Sequence, residues 1–307
     1  NMLARSIRSS RLIGKREWQL WLLVLPAVVF FLVFHYAPMY GLVIAFKRYS
    51  VSKGIGESPW VGLMYFKRFF NSAQCWELIV NTLILSFYQL LAAFPPPLIL
   101  AFMLNHTRAK WVKKFVQTIT YAPHFISLVV MTGMLTLFGS PSSGIINILI
   151  KQLGGQPIYF MAEPEWFRHV FVFSHVWQHT GYQAIIFLAA LTAVDVSQYE
   201  AATLDGATKL QKIRYIDLPA IIPTLVTVLL LQVGRMLNVD TQKVLLMQSA
   251  TNLSTSEIIG TYVYKIGLLN GQFSYSTAIN LFQTVVNVVI LLFVNLVSRK
   301  LTDESLW

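Results

Sequence analysis

Charge is scarce in this 307-residue chain: Asp, Glu, Lys and Arg make up 12% of it, against 55% hydrophobic residues. Soluble domains carry about a quarter charged residues. A soluble fold of this length would form one or two domains, and neither could hide so much apolar surface. Disorder needs the opposite composition, low hydrophobicity with many charges, so it is excluded as well. Cysteine is nearly absent, and Cys75 alone can form neither an internal disulfide nor a thiolate metal cluster. Acidic residues are also few, 13 against 24 Lys and Arg, for a net charge of +11. In a soluble protein that excess would point to nucleic acid. In an apolar chain it marks loops rich in Lys and Arg beside anionic lipid, so membrane lipid and not nucleic acid is the expected partner. An all-α, polytopic membrane protein remains.

Sequence signatures of catalysis are missing too. No Gly-x-x-x-x-Gly-Lys-Ser/Thr phosphate loop occurs, since Gly14-Lys15-Arg16 lacks the upstream glycine and the hydroxyl. Neither His-Glu-x-x-His nor Gly-x-Ser-x-Gly is present. The expectation is a chain that is not an enzyme and draws any energy from a partner. Its first residue, Asn1, is not Met, so the numbering is expected to begin inside a longer chain.

What is present is a series of about six apolar stretches, each near the ~20 residues that cross a bilayer. They run from about Trp18 to Phe46, Asn81 to Leu104, Phe115 to Phe138, Phe167 to Val194, Leu218 to Leu237, and Thr277 to Val297. The first is too long for a signal-peptide core and has no small-residue cleavage pattern. Pro95-Pro96-Pro97 in the second reads as a fixed bend rather than a hinge.

Positive charge orients the bundle. Arg5, Arg8, Arg11, Lys15 and Arg16 precede the first span, and Arg108, Lys110, Lys113 and Lys114 follow the second. Lys209, Lys212 and Arg214 follow the fourth, and Arg299 and Lys300 end the sixth. These outnumber the cations of the opposite loops, so both termini are expected in the cytoplasm. The organisation expected is a basic segment over 1–17, a transmembrane domain over 18–298 and a tail over 299–307. External segments about Lys47–Glu77, Gly139–Trp166 and Asn238–Ser276 are long enough to fold.

The connection after the fourth span, about 195–219, carries the most information. Ser197 with Glu200, and Thr208 with Gln211, each fit a capping box, so two short helices are expected there. Gly206 between them suits the turn, and Pro219 is expected to open the fifth span. Ala201 and Ala202 then form a smooth, closely approachable surface, the shape of a docking element. The pattern Glu200-Ala201-Ala202, Gly206, Ile216, Leu218-Pro219 resembles the signature of membrane subunits of binding-protein-dependent ABC importers, with no departure in spacing. The likeness extends along most of the chain. Asp205-Gly206-Ala207, Trp60-Val61-Gly62 with Phe66, and Gly267 with Tyr275 look like the sugar-transporting branch, and more narrowly like oligo- and polysaccharide permeases, including bacterial alginate importers.

That resemblance implies half of a type I ABC importer. The Glu200–Gly206 helix would be a coupling helix lying in a cleft of an ATP-hydrolysing subunit, with Glu200 accepting hydrogen bonds, Ala201 and Ala202 packing closely and Gly206 turning. The implied partners are a homologous permease, two ATPase subunits that bind ATP and Mg, and an extracytoplasmic solute-binding protein, in a bacterial inner membrane. The rivals are an importer for another solute such as amino acids, which substrate competition would separate, and a non-transporting assembly protein, which co-purification would expose.

Polar groups inside spans are expensive and mark candidate pathways. His175, His179 and Gln183 recur on one face of the fourth span, beside Gln178. Trp177 and Tyr182 offer flat faces to a sugar ring. The competing reading is hydrogen bonding between helices. Two histidines four apart lack a nearby carboxylate or cysteine to complete a metal site, so none is expected. Arg235 lies roughly 24 Å past Pro219 along a helix. It either faces a watery cavity and attracts an anionic sugar, snorkels to the interface, or pairs with Asp240. Lys243, Gln248, Tyr262, Tyr264 and Lys265 are weaker candidates of the last external loop.

Overall fold

The computed structural model describes residue 18 and residues 20–302. The basic N-terminal segment, and residues 303–307 of the tail, lie outside the described residues. The described residues form helices joined by loops, with one isolated bridge between Lys47 and Trp60 and no strand. Among the described residues four helices are long and apolar enough to cross a membrane, or six when each of two bent pairs is taken as one span.

The first helix, α1 (Leu20–Phe46), contains a π-helical stretch over Leu32–Tyr36 and tightens into a 3-10 helix over Tyr40–Phe46. Its most apolar window has no buried residue, whereas its C-terminal end packs on the last helix. A short α2 (Met64–Phe70) leads into α3 (Cys75–Ala93) and α4 (Pro95–Asn105). Phe94 between them keeps helical angles, so 75–105 forms one span. The three prolines occupy the first turn of α4, where their missing N–H groups are tolerated.

The third span is not one helix. It breaks into α5 (Lys110–Tyr121) and α6 (Leu128–Phe138), bent by 102° across Ala122–Ser127. Pro123 tightens the chain into a 3-10 turn, Ile126 is extended, and the Ser127 side chain caps α6. Irregular backbone at this depth persists only where neighbours satisfy it. Gln178 of the long α7 (Pro164–Thr192) does so, donating to the Ile126 carbonyl at 2.8 Å. Gly181 of the same helix lets α5 approach its backbone directly.

Helix α7 runs about 44 Å at 1.5 Å per residue and packs along α3, α4 and α5. It turns by 76° into α8 (Val196–Leu204). After Gly206 the chain enters a continuous helical run, α9 (Lys209–Val233), through a π-helical turn at Ile213–Asp217. The regular α-helix of this run spans Leu218–Val233 with Pro219 in its first turn, where the missing N–H is tolerated, although the helical run as a whole starts ten residues earlier at Lys209. The chain then folds into α10 (Thr241–Met247), α11 (Ile259–Tyr264) and the last long helix α12 (Phe273–Thr302).

Three apolar clusters hold these helices. Phe69, Leu78, Ile259 and Ile279 join α2, α3, α11 and α12. Leu85, Phe171 and Val244 join α3, α7 and α10. Ala101, Phe187 and Ile221 join α4, α7 and α9 near the α8 end of the bundle. Burying side chains of this size contributes about 1.5–3 kcal/mol each, so the clusters fix where α7 and α9 stand.

Candidate functional site

The elbow at the α7–α9 connection is built from local capping. Asp195 is extended and its carboxylate accepts the Ser197 N–H at 3.0 Å, which starts α8. That bond, with a further one from the Ser197 side chain, holds the Asp195 carboxyl below its ordinary range. Ser197 and Glu200 consequently form no capping box, because Asp195, two residues earlier, already takes the cap position. Helix α8 ends as a glycine C-cap requires: Gly206 has φ +74°, the Ala207 N–H reaches the Ala202 carbonyl at 2.8 Å and the Gly206 N–H the Thr203 carbonyl at 3.1 Å. The Thr208–Gln211 capping box is present. Lys212 Nζ, 2.6 Å from Thr203 Oγ1, straps α9 back to α8.

The two faces of α8 differ. Outward stand Glu200 and Ala201, flanked by Val196, Leu204, Leu210 and Tyr215, all exposed; Leu204 is 90% exposed. Ala202 is half-buried, Ile216 is half-buried in the π turn, and Leu218 and Pro219 are exposed at the start of the regular helix. Inward, Tyr199 OH donates to Asp217, whose other oxygen lies 2.5 Å from His106 Nε2 at the end of α4. None of these three side chains carries a sequence signal, because 111 residues separate His106 from Asp217.

The second feature is a cavity of about 470 Å³ between α3, α7 and α9, within the size range of small-ligand sites. Of the residues singled out in the sequence, it gathers His175, Gln183 and Arg235. It adds Ser86, Gln89, Gln232 and Asn238, of which Ser86 and Gln89 come from α3. Gln89 Nε2 and His175 Nε2 are 3.2 Å apart, while Ser86 Oγ and Gln89 Oε1 are buried without a protein partner. Arg235 is exposed in the turn just past α9, not within the helix, because α9 ends at Val233. Asp240 caps α10 by accepting the Lys243 N–H at 3.0 Å, so it serves that helix.

The other candidates lie elsewhere. Trp177 lines a separate, largely apolar cavity of about 780 Å³ beside Met131, Met134 and Phe173. His179 Nδ1 is 3.1 Å from His124 Nδ1, and the His124 ring stacks on Tyr182 with centroids 3.9 Å apart. His179 and Tyr182 thus clamp the break between α5 and α6. Lys243 is buried, with Nζ donating to the Phe171 carbonyl at 3.1 Å. Lys265 Nζ pairs with Glu257 at 2.6 Å, and Gln248 donates to the same carboxylate at 3.1 Å. Tyr262 packs against the α2–α12 cluster, and Tyr264 is partly exposed. Among the described residues no three His, Cys, Asp or Glu side chains are grouped to hold a metal ion.

Several proteins similar to this chain are transport proteins by name. LplB of Bacillus subtilis (strain 168) is 42% identical over 95% of this chain and 92% of its own length. The polygalacturonan/rhamnogalacturonan transport system permease YteP of the same organism is 42% identical over 94% and 90%. A bacterial ABC transporter for the acidic polysaccharide alginate superposes with TM-score 0.87 at 39% identity, covering 98% of this chain and 100% of that chain. The same transporter type, solved with an alginate pentasaccharide-bound periplasmic protein, gives 0.87 and 39% over 95% and 98%. The family model described as binding-protein-dependent transport system inner membrane component matches residues 93–303, which take in both the elbow and most of the cavity, and the chain belongs to that family.

Proposed function

We propose that this chain is one permease half of an ABC importer for oligo- or polysaccharide, moved by ATPase subunits docked on the elbow. The observation that carries the docking is the outward face of α8. Glu200 and Ala201 stand exposed on a helix fixed at both ends by capping, with exposed Val196 and Leu204 on the same helix. A short rigid helix with small residues suits close approach of another subunit. ATP and Mg bind at those partners, and this chain binds no cofactor and catalyses no reaction itself. The basic connections at the elbow end support a cytoplasmic elbow, and with it cytoplasmic termini. The unburied stretch of α1 is where a homologous permease would pack, and the opposite end faces a solute-binding protein.

The cargo reading rests on the polar cavity. Gln89, Gln183, Gln232 and Asn238 offer donors and acceptors to sugar hydroxyls, and Arg235 is exposed at its edge. Polygalacturonan and alginate carry a carboxylate on each uronate, and relatives of this chain transport them. An arginine–carboxylate hydrogen bond contributes about 1.5–3 kcal/mol. In proteoliposomes holding the assembled complex, Arg235→Gln is expected to weaken uptake of uronate oligomers about 10-fold or more. Unchanged uptake, with neutral sugars competing fully, would remove the acidic-cargo reading. For docking, Glu200→Lys is expected to release the ATPase subunits on purification; retention of a fully coupled complex would remove that reading.

A further inference from the structure

Asp217 is fully buried at the end of the π-helical turn, and side chains from two other elements hold it. Tyr199 OH from α8 donates to Oδ1, His106 Nε2 at the end of α4 lies 2.5 Å from Oδ2, and Asn105 Nδ2 reaches the Tyr199 oxygen at 3.3 Å. Burying a carboxylate is costly, and removing one partner of such a group leaves it uncompensated. A purely packing role would be met by an apolar side chain. Here the carboxylate joins side chains from α8 and the end of α4 to α9.

Its position gives that junction a direction. Tyr199 and Glu200 are consecutive, so their side chains leave α8 about 100° apart. Glu200 is exposed on the outward face, and Tyr199 points inward to Asp217. From Asp217, α9 runs unbroken to Val233 and ends beside Gln232 and Arg235 at the polar cavity. The π turn between is a place where a helix yields, and apart from the strap from Lys212 to Thr203, α8 meets α9 through a glycine turn. Left unpinned, a push on α8 would be absorbed at the turn and the π segment.

We propose that Tyr199, Asp217 and His106 form a transmission latch that makes α8, α9 and the end of α4 move as one body. They are positioning residues that carry motion from the ATPase-facing helix to the cavity. The proposal rests on the docking role of α8 given above. Helical elements with discrete arrangements are the physical carriers of such coupling, with typical effects of 5–150-fold.

The test uses the assembled complex in proteoliposomes, reading ATP hydrolysed per uronate oligomer imported. In Tyr199→Phe and Asp217→Asn the ATPase subunits should still co-purify and basal hydrolysis should stay within about twofold, while import falls about tenfold. The ratio of ATP to cargo then rises about tenfold, and the double variant is no worse than Asp217→Asn alone. An unchanged ratio in Tyr199→Phe would overturn the latch. That variant removes one hydroxyl from a half-buried ring, so it decides the matter where Asp217→Asn lowers the yield. A merely structural bond would lower the thermal midpoint and leave the ratio alone. Glu200→Lys separates the two readings: if it leaves docking intact, the coupling role of α8 fails; if it releases the ATPase while Tyr199→Phe keeps the normal ratio, only the latch fails.

Discussion

Gly181 of α7 lies so close to the Thr120 carbonyl of α5 that any Cβ at this position would overlap it. The contact holds the first half of the broken span against the longest helix between the elbow and the cavity. Gly181→Ala is therefore expected to push α5 away at a cost of about 1–3 kcal/mol, the usual range for overpacking. Gly133 in α6 has nothing within 4 Å, so Gly133→Ala is the control and should be neutral or mildly stabilising. Thermal unfolding of the solubilised complex reads both, and equal midpoints for the two variants would contradict the close approach.

Gly206 poses the opposite problem. Its φ of +74° lies in the left-handed region, yet open space surrounds it. The cost of a side chain there is backbone strain alone, about 1–2 kcal/mol for an ordinary residue. Asn tolerates this region better than Ala, and a β-branched residue worse. Limited proteolysis at the elbow should rank cleavage Gly206→Val above Gly206→Ala above Gly206→Asn. An equal rate for all three would mean that the turn survives without the glycine.

How far the sequence reveals the molecule follows from the reach of each signal. The spans, the glycine turn and the Thr208–Gln211 box are local patterns, and the structure contains them. The Ser197–Glu200 spacing fits a capping box, but the cap falls on Asp195, whose carboxylate takes the Ser197 N–H and leaves Ser197 inside the helix. The break at Ile126 was hidden, since Pro123 and Ser127 sit inside an apolar run whose length alone satisfies a single span. Ser86 and Gln89 were missed as cavity residues, because only the packing of α7 on α3 brings His175 beside Gln89. The latch was invisible: His106 and Asp217 meet only through the packing of α4, α7 and α9.

The start of α8 gives a sharp local test. Asp195→Ala removes the acceptor for the Ser197 N–H, whereas Asp195→Asn keeps one. Ser197→Ala leaves the cap in place. Deuterium uptake across 196–200 should rise in Asp195→Ala and stay near wild type in the other two. The Asp195 carboxyl is held below its usual range by the Ser197 N–H. Its capping contribution is thus fully present above the unfolded value of about 3.9 and fades as pH falls through the lower folded value. Protection factors in this segment, taken relative to intrinsic amide exchange at each pH, should be the same at pH 6 and pH 8, and a fall between them would show that another group controls the cap.

Lys243 separates charge that meets cargo from charge that holds the fold. Its side chain is 1% exposed, with Nζ bonded to the Phe171 carbonyl and 4.7 Å from the centre of the Phe171 ring. It does not line the cavity that Arg235 edges. Lys243→Met keeps the length and the contact with Phe171 while removing the charge, and replacing a buried ion by an apolar side chain of similar size is often neutral or stabilising. Lys243→Ala leaves a void that Met would fill, at about 2–5 kcal/mol by analogy with large-to-small core changes. The thermal midpoint should therefore fall sharply in Lys243→Ala and little in Lys243→Met. The KM for uronate uptake should match wild type in Lys243→Met and rise in Arg235→Gln. A KM raised equally by both would place Lys243 on the pathway and break this division between the two cations.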